Sequence, residues 1–186
     1  MAKAVLISIR PEWCEKIARN EKTVEVRKTR PKLETPFKCH IYCTMDHPYI
    51  SISCGELDKL NYRTNTVGRC NGKVIGEFTC ERIYEIRKRG IPENFDYCYL
   101  SLNEWGNDDI ETEIRAISAS CVSKEKLNAY GAKAPILYGW HITDLKIYNA
   151  PCDLSKFTGL RNTRFGAAPY DIKCAPQSWC YVEELK

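Results

Sequence analysis

The sequence of 186 residues has the length and composition of a single folded domain. Hydrophobic residues make up 44% and charged residues 28%, so the chain has enough apolar surface for a core and is not of the disordered class. The net charge is +4, yet residues 1–40 alone carry +5, from ten basic and five acidic side chains. A basic segment of this kind favours an anionic partner such as a nucleic acid or a nucleotide.

Apolar runs, alternation and turn residues predict the elements in chain order. Val5–Ile9 is typical of a buried strand, and Pro11 at a first helical position predicts a short helix that ends at Asn20. Alternation predicts strands at Thr23–Lys28 and Phe37–Thr44. The remaining predicted elements are a long strand at Val74–Ile86, helices at Asp108–Ala119 and from Ser123, one or two strands within Leu137–Tyr148, at most one helical turn at Asp153–Phe157, a basic loop at 158–177 and a strand at Ser178–Val182.

This order of elements predicts the fold class. Strands come in runs, separated by few helices, which favours an α+β domain over alternating βαβ units. Long alternating strands further suggest a small mixed β-barrel with flanking helices. No repeat or linker divides residues 1–186, so we expect one domain, with insertions at 45–70 and 87–130.

Eleven cysteines are many for this length, and their odd number leaves at least one without an intrachain partner. The opening residues lack the apolar core and cleavage site of a secretory signal, so we expect a cytoplasmic protein with reduced thiols. Cys39 and Cys43, with His40 and His47 nearby, are the candidates for a zinc site. In a regular strand the two cysteines are about 13 Å apart, too far to bind one metal ion, so we predict no metal and no cofactor.

No apolar run approaches the ~20 residues needed to cross a membrane, so we expect no membrane partner. A second basic cluster lies further along the chain and consists of Arg82, Arg87, Lys88 and Arg89. The oligomeric state is open at this level.

The segment from Asn20 to Arg27 carries the most chemistry. Glu25 and Arg27 lie two residues apart and therefore project to the same side of a strand, at about 7 Å. Charges on an interior wall must be paired or solvated, and a pocket for a polar ligand meets that need. Arg27 offers a planar donor fork to phosphate or a base edge, Glu25 accepts from an exocyclic amine, and Lys22 can hold a phosphate. The alternative is a surface strand with an ion pair of little worth.

This segment resembles the Gly-x-Lys-x-x-Glu-x-Arg motif of the ASCH domain, a member of the PUA-like superfamily. Lys22, Glu25 and Arg27 match, and Asn20 stands where the family usually has Gly. Asn is the best non-glycine residue for a left-handed turn. The strand and helix before the motif, the glycine-marked stretch 72–78 and the stretches 138–142 and 176–182 also resemble the family, in a subgroup common in bacterial and phage genomes. The resemblance covers residues 3–85 and 134–184.

The resemblance implies a closed β-barrel with a cleft beside the first helix, and binding of RNA, a nucleotide or a modified base in that cleft. The motif residues are then expected to line it, with Ser8 and Arg10 at the same edge. Candidates for the opposite wall are Trp140, His141, Gln177, Ser178 and Trp179. An aromatic ring there can stack on a base, although tryptophans usually anchor a core. For His141, a structural role is the alternative.

An enzymatic alternative also follows from the family. Some small ASCH proteins resemble amidohydrolases that act on acylated cytidine through the motif lysine, a threonine and a distant glutamate. Ribonuclease activity has also been attributed to some ASCH proteins. Here Lys22 and Glu25 would be the catalytic residues, but Glu25 occupies the threonine position and favours the charged form of Lys22, which disfavours a lysine base. A binding module is therefore the leading hypothesis, and a non-catalytic interaction protein of a mobile element is a third.

Overall fold

The computed structural model describes residues 3–50, 69–88 and 108–184. Most of the predicted insertion at 45–70, and residues 89–107 of the predicted insertion at 87–130, lie outside the described residues. The described strands and helices follow in the order β1 (Lys3–Ile9), α1 (Pro11–Ala18), β2 (Val24–Arg27), β3 (Phe37–Cys43), β4 (Lys73–Cys80), β5 (Ile83–Arg87), α2 (Asp108–Ala119), α3 (Lys124–Gly131), β6 (Ile136–His141), β7 (Thr143–Cys152), β8 (Thr158–Thr163), β9 (Gly166–Asp171) and β10 (Trp179–Glu183), with a 3₁₀ turn at Leu154–Lys156.

The strands form two sheets. The larger has seven strands in the order β7-β4-β3-β1-β10-β8-β9, and the smaller has three in the order β2-β6-β5. Strand β1 is central: it pairs in parallel with β3 and antiparallel with β10. The fold is α+β, as predicted, but the described strands pair into two separate sheets, so a closed barrel is not confirmed.

Three apolar clusters hold the layers together. The largest lies between the large sheet, α1 and the small sheet, and includes Ile7, Ile17, Ile41 and Trp140. A second covers the other face of the large sheet around Phe157. A third packs the small sheet against α2 and α3. Because both faces of β1 are covered, Ala4–Ile7 are fully buried, as the unbroken apolar run predicted.

Two predicted elements are wrong in their extent. The single strand predicted at Val74–Ile86 is two strands, β4 and β5, which belong to different sheets. The basic loop predicted at 158–177 contains the antiparallel hairpin β8–β9. In that hairpin Gly159 lies directly under the ring of Tyr170, where a Cβ would clash, so this glycine permits close packing and does not mark a loop.

Buried thiols fill much of the main core. Cys14, Cys39, Cys43 and Cys80 all belong to the largest cluster, and burial raises the pKa of Cys39 well above its ordinary value. Protonated thiols pack as small apolar groups. Among the described residues, no group of three or more metal-ligating side chains could hold a metal ion, and no helix is long and apolar enough to cross a membrane.

A histidine is buried on the outer face of the large sheet. His40 is 0% exposed, and its Nδ1 lies 3.3 Å from the Tyr148 hydroxyl and 3.7 Å from Glu77 Oε2. Burial lowers the pKa of His40 to about 4, against the opposing effect of Glu77 and with the help of Lys38. Burial acts to raise the pKa of Glu77, but hydrogen bonds from Tyr148 and Lys38 hold it below its ordinary value.

The depressed pKa of His40 predicts an acid-sensitive fold. Between pH 6.5, the ordinary histidine pKa, and about pH 4, His40 is protonated in the unfolded chain but neutral in the folded chain. The free energy of unfolding should therefore fall across this window by up to about 3 kcal/mol. Urea denaturation of the wild type and of His40→Gln measures it, and the variant should lose most of this slope. An equal slope in both proteins would contradict the assignment to His40.

Candidate functional site

The turn between α1 and β2 sets the position of the motif. Helix α1 ends at Ala18, and Asn20 then adopts a left-handed conformation with φ 59°. The next two backbone amides, those of Glu21 and Lys22, both donate to the Lys16 carbonyl at 2.9 and 3.1 Å. The reversed chain enters β2 at Val24. Asn20 therefore supplies the left-handed turn that was predicted at this position.

Lys22 is buried with three oxygen partners. It is 1% exposed, and its Nζ donates to the Val24 carbonyl at 2.8 Å and to the Ser120 carbonyl at 2.6 Å. Glu25 Oε2 lies 3.3 Å away, and the Trp13 ring centroid lies 5.2 Å away. Two of the three N–H donors of the ammonium are thus engaged by carbonyls, and the carboxylate balances its charge. Lys22 thus acts as a charged cross-link between the motif and the α2–α3 connection.

Glu25 and Arg27 continue the network towards the large sheet. Arg27 Nη2 lies 3.0 Å from Glu25 Oε1 and donates to the Ser8 carbonyl of β1 at 2.6 Å. The two residues are 5% and 9% exposed. Two buried polar atoms, Arg27 Nε and Glu25 Oε2, make no hydrogen bond to the described residues, although Glu25 Oε2 is ion-paired to Lys22. Charges this deep are tolerated only because they are paired.

A cavity of about 680 Å³ opens over this network. Its floor is the motif together with Ser8, and its sides come from α1, from α3 and from Val122 in the segment before α3. The residues that line it are Ser8, Arg10, Glu12, Trp13, Lys22, Glu25, Val26, Arg27, Thr44, Asp46, Val122, Lys126, Leu127, Ala129, Tyr130 and Gln177. The volume lies in the range of small-ligand sites.

The rim of this cavity combines paired charges with aromatic rings. Arg10 lies 3.8 Å from Asp46, and Lys126 lies 3.8 Å from Glu12, with all four side chains well exposed. Exposed pairs of this kind are weak and are readily exchanged for a ligand. Lys126 Nζ also lies 5.2 Å from the centroid of the Trp13 ring. Tyr130 is 39% exposed, and Lys28 Nζ lies 5.1 Å from the centroid of its ring.

The predicted site residues fall into two groups. Those that line the cavity are Ser8, Arg10, Lys22, Glu25, Arg27 and Gln177. Trp140, His141, Ser178 and Trp179 were expected on the opposite wall but do not line it. Trp140 is 0% exposed within the main core, 5.9 Å from the rings of both Phe37 and Trp179.

The other three residues of the second group have roles elsewhere. Trp179 Nε1 donates to Thr29 Oγ1 at 3.0 Å, and the Ser178 carbonyl accepts from the Ser8 amide at 2.9 Å. His141 lines a separate, smaller cavity with Arg82. Helix α3 lines the cavity in their place, although most of it lies within the predicted insertion at 87–130. Local sequence patterns give little indication of this placement of α3. The contact that brings the α2–α3 connection to the motif joins Lys22 and Ser120, which are 98 residues apart.

Comparison with known proteins supports the fold. No family model matches the sequence, and no curated protein matches it either. The crystal structure of ASCH from Zymomonas mobilis superposes with a TM-score of 0.51 and 16% identity, covering 97% of this chain and 88% of that one. A mutant of the same protein gives a TM-score of 0.50, 16% identity and coverage of 98% and 92%. The chain therefore has an ASCH-type fold, as the motif had indicated.

Removal of the Lys22 charge should destabilise the protein strongly. In Lys22→Met the Glu25 carboxylate loses one of its two cationic partners and two carbonyls lose a donor, which should cost about 3–5 kcal/mol. The matched control is Lys16→Met, in which an exposed ion pair to Glu21 is lost. That control should change stability by less than about 1 kcal/mol. Chemical denaturation measures both, and equal losses would contradict the buried network.

Proposed function

We propose that this protein binds RNA or a nucleotide in the cavity lined by Lys22, Glu25 and Arg27. The observation that carries the proposal is this cavity, in which the buried motif network underlies a rim of exposed cationic and aromatic side chains. The ASCH-type fold agrees with such a role. The proposal includes a modified base as one form of the ligand.

The chemistry of the rim suits a nucleic-acid ligand. The ion pairs of Arg10 and Lys126 are long and exposed, so a phosphate can replace the carboxylate at little cost. Trp13 and Tyr130 present aromatic surface on the α1 and α3 sides of the same cavity. Base stacking on such rings contributes about 1–3 kcal/mol per base and tolerates any base. Phosphate contacts at the rim and a stacked base inside the cavity are thus compatible.

The environment of Lys22 favours binding over hydrolysis. A lysine base needs a free electron pair, and its neutral form is favoured by desolvation without an anionic neighbour. Lys22 Nζ instead donates to two carbonyls and lies 3.3 Å from the Glu25 carboxylate, so its partners lie within the protein. We therefore propose a binding module and no amidohydrolase or ribonuclease step through Lys22.

The proposal is tested with the double variant Arg10→Ala/Lys126→Ala. Both side chains are more than half exposed, so the variant should fold like the wild type. Fluorescence anisotropy with a short single-stranded RNA should show about a tenfold weaker affinity. The slope of log affinity against log salt should also fall by about 1.4, which is ~0.7 for each lost phosphate contact.

The control for this test is Arg87→Ala/Lys73→Ala. These residues also form exposed ion pairs, with Glu85 and Asp153, but lie outside the cavity. The control should bind RNA like the wild type. If mononucleotides compete with the RNA, the cavity binds a single nucleotide unit of it. Equal RNA affinity of the rim variant and the control, or no RNA or nucleotide binding by the wild type, would refute the proposed function.

A further inference from the structure

A second, smaller cavity lies where the small sheet meets α2. Its volume is about 190 Å³, and it is formed by β2, by β5 and the residue preceding it, by the end of β6 and by α2. The residues that line it are Thr23, Val24, Arg82, Tyr84, Arg115, Ala116, Ala119 and His141. It shares no lining residue with the large cavity, although β2 contributes to both.

The described lining contains donors and cations but no carboxylate. Arg82 directly precedes β5 and Arg115 belongs to α2, and both are exposed, whereas His141 at the end of β6 is half-buried. Thr23 and Tyr84 add hydroxyl groups. A lining of two guanidinium groups, an imidazole and two hydroxyls is complementary to an oxyanion.

Backbone hydrogen bonds hold this lining in place. The His141 amide donates to the Arg82 carbonyl at 2.9 Å, which fixes the end of β6 to the start of β5. The Thr23 amide donates to the Ala119 carbonyl at 3.0 Å, which fixes β2 to the end of α2. The ring of Tyr84 packs edge-on against the ring of His141, with centroids 6.0 Å apart. The elements that carry the cationic groups are therefore rigidly connected before any ligand arrives.

We propose that this cavity binds a phosphate group through Arg82, Arg115 and His141. Arg is the side chain best suited to phosphate because its planar fork can donate two parallel hydrogen bonds. The volume is less than a third of that of the large cavity, so the cavity suits the phosphate itself and not a nucleoside. The phosphate has two possible sources: a free phosphate or phosphomonoester, or a backbone phosphate of a nucleic acid.

Titration with inorganic phosphate at constant ionic strength tests the site directly. Calorimetry should show saturable binding, and the ring signals of His141 should shift in the NMR spectrum. Arg82→Ala/Arg115→Ala should weaken phosphate binding at least tenfold. Arg87→Ala, which removes an exposed arginine of the same strand β5 outside the cavity, should leave it unchanged. Thermal unfolding of each variant shows that the loss is not due to misfolding.

Titration with a single-stranded RNA oligonucleotide separates the two sources of phosphate. If the source is a nucleic acid, Arg82→Ala/Arg115→Ala should also weaken RNA binding severalfold and inorganic phosphate should compete. If the source is a free phosphate, RNA binding should be unchanged while phosphate binding is lost. The proposal is overturned if the wild type shows no saturable phosphate binding and the double variant binds RNA like Arg87→Ala. A wild type that binds phosphate through Arg82 and Arg115 but binds neither RNA nor a nucleotide in the large cavity would refute the proposed function and leave this site intact.

Discussion

The buried charge network of Lys22, Glu25 and Arg27 connects parts of the molecule that share no sheet. Lys22 fixes the small sheet to the α2–α3 connection through the Ser120 carbonyl, and Arg27 fixes it to β1 of the large sheet through the Ser8 carbonyl. Glu25 lies between the two cations and offsets their charge. The large cavity exists because this network holds its floor together while α1 and α3 stand apart on either side. Structure and binding surface therefore depend on the same three side chains.

The buried network and the exposed rim of the cavity have different roles in the proposed binding. The deep charges are already paired with one another, so they contribute shape and a fixed positive floor, whereas the rim ion pairs of Arg10 and Lys126 are weak enough to be exchanged. A ligand therefore contacts a rigid cavity floor and a rim whose side chains can rearrange. This arrangement limits the reorganisation that binding requires.

Much of this fold was predictable because its strands carry local signals. The apolar run at Val5–Ile9 and the alternation at Phe37–Cys43 gave two central strands, and the motif placed β2. The break between β4 and β5 was missed because only Glu81 and Arg82 separate them, without a Gly or Pro to mark the turn. The α3 wall was missed for a different reason. Its approach to Lys22 is a contact across 98 residues, and no local pattern encodes such a contact.

The position of β1 has a consequence for how the chain folds. One neighbour of β1 is β3, close in sequence, but the other is β10, with Lys3 opposite Glu183. Until β10 has been synthesised, one edge of β1 has no strand to pair with, and the apolar residues of β1 lie at an open edge of the sheet. Pairing across so long a separation is slow because the loop-closure entropy must be overcome first. A nascent or truncated chain without its last strand should therefore be exposed to edge-to-edge aggregation at the strand that later forms the centre of the native sheet.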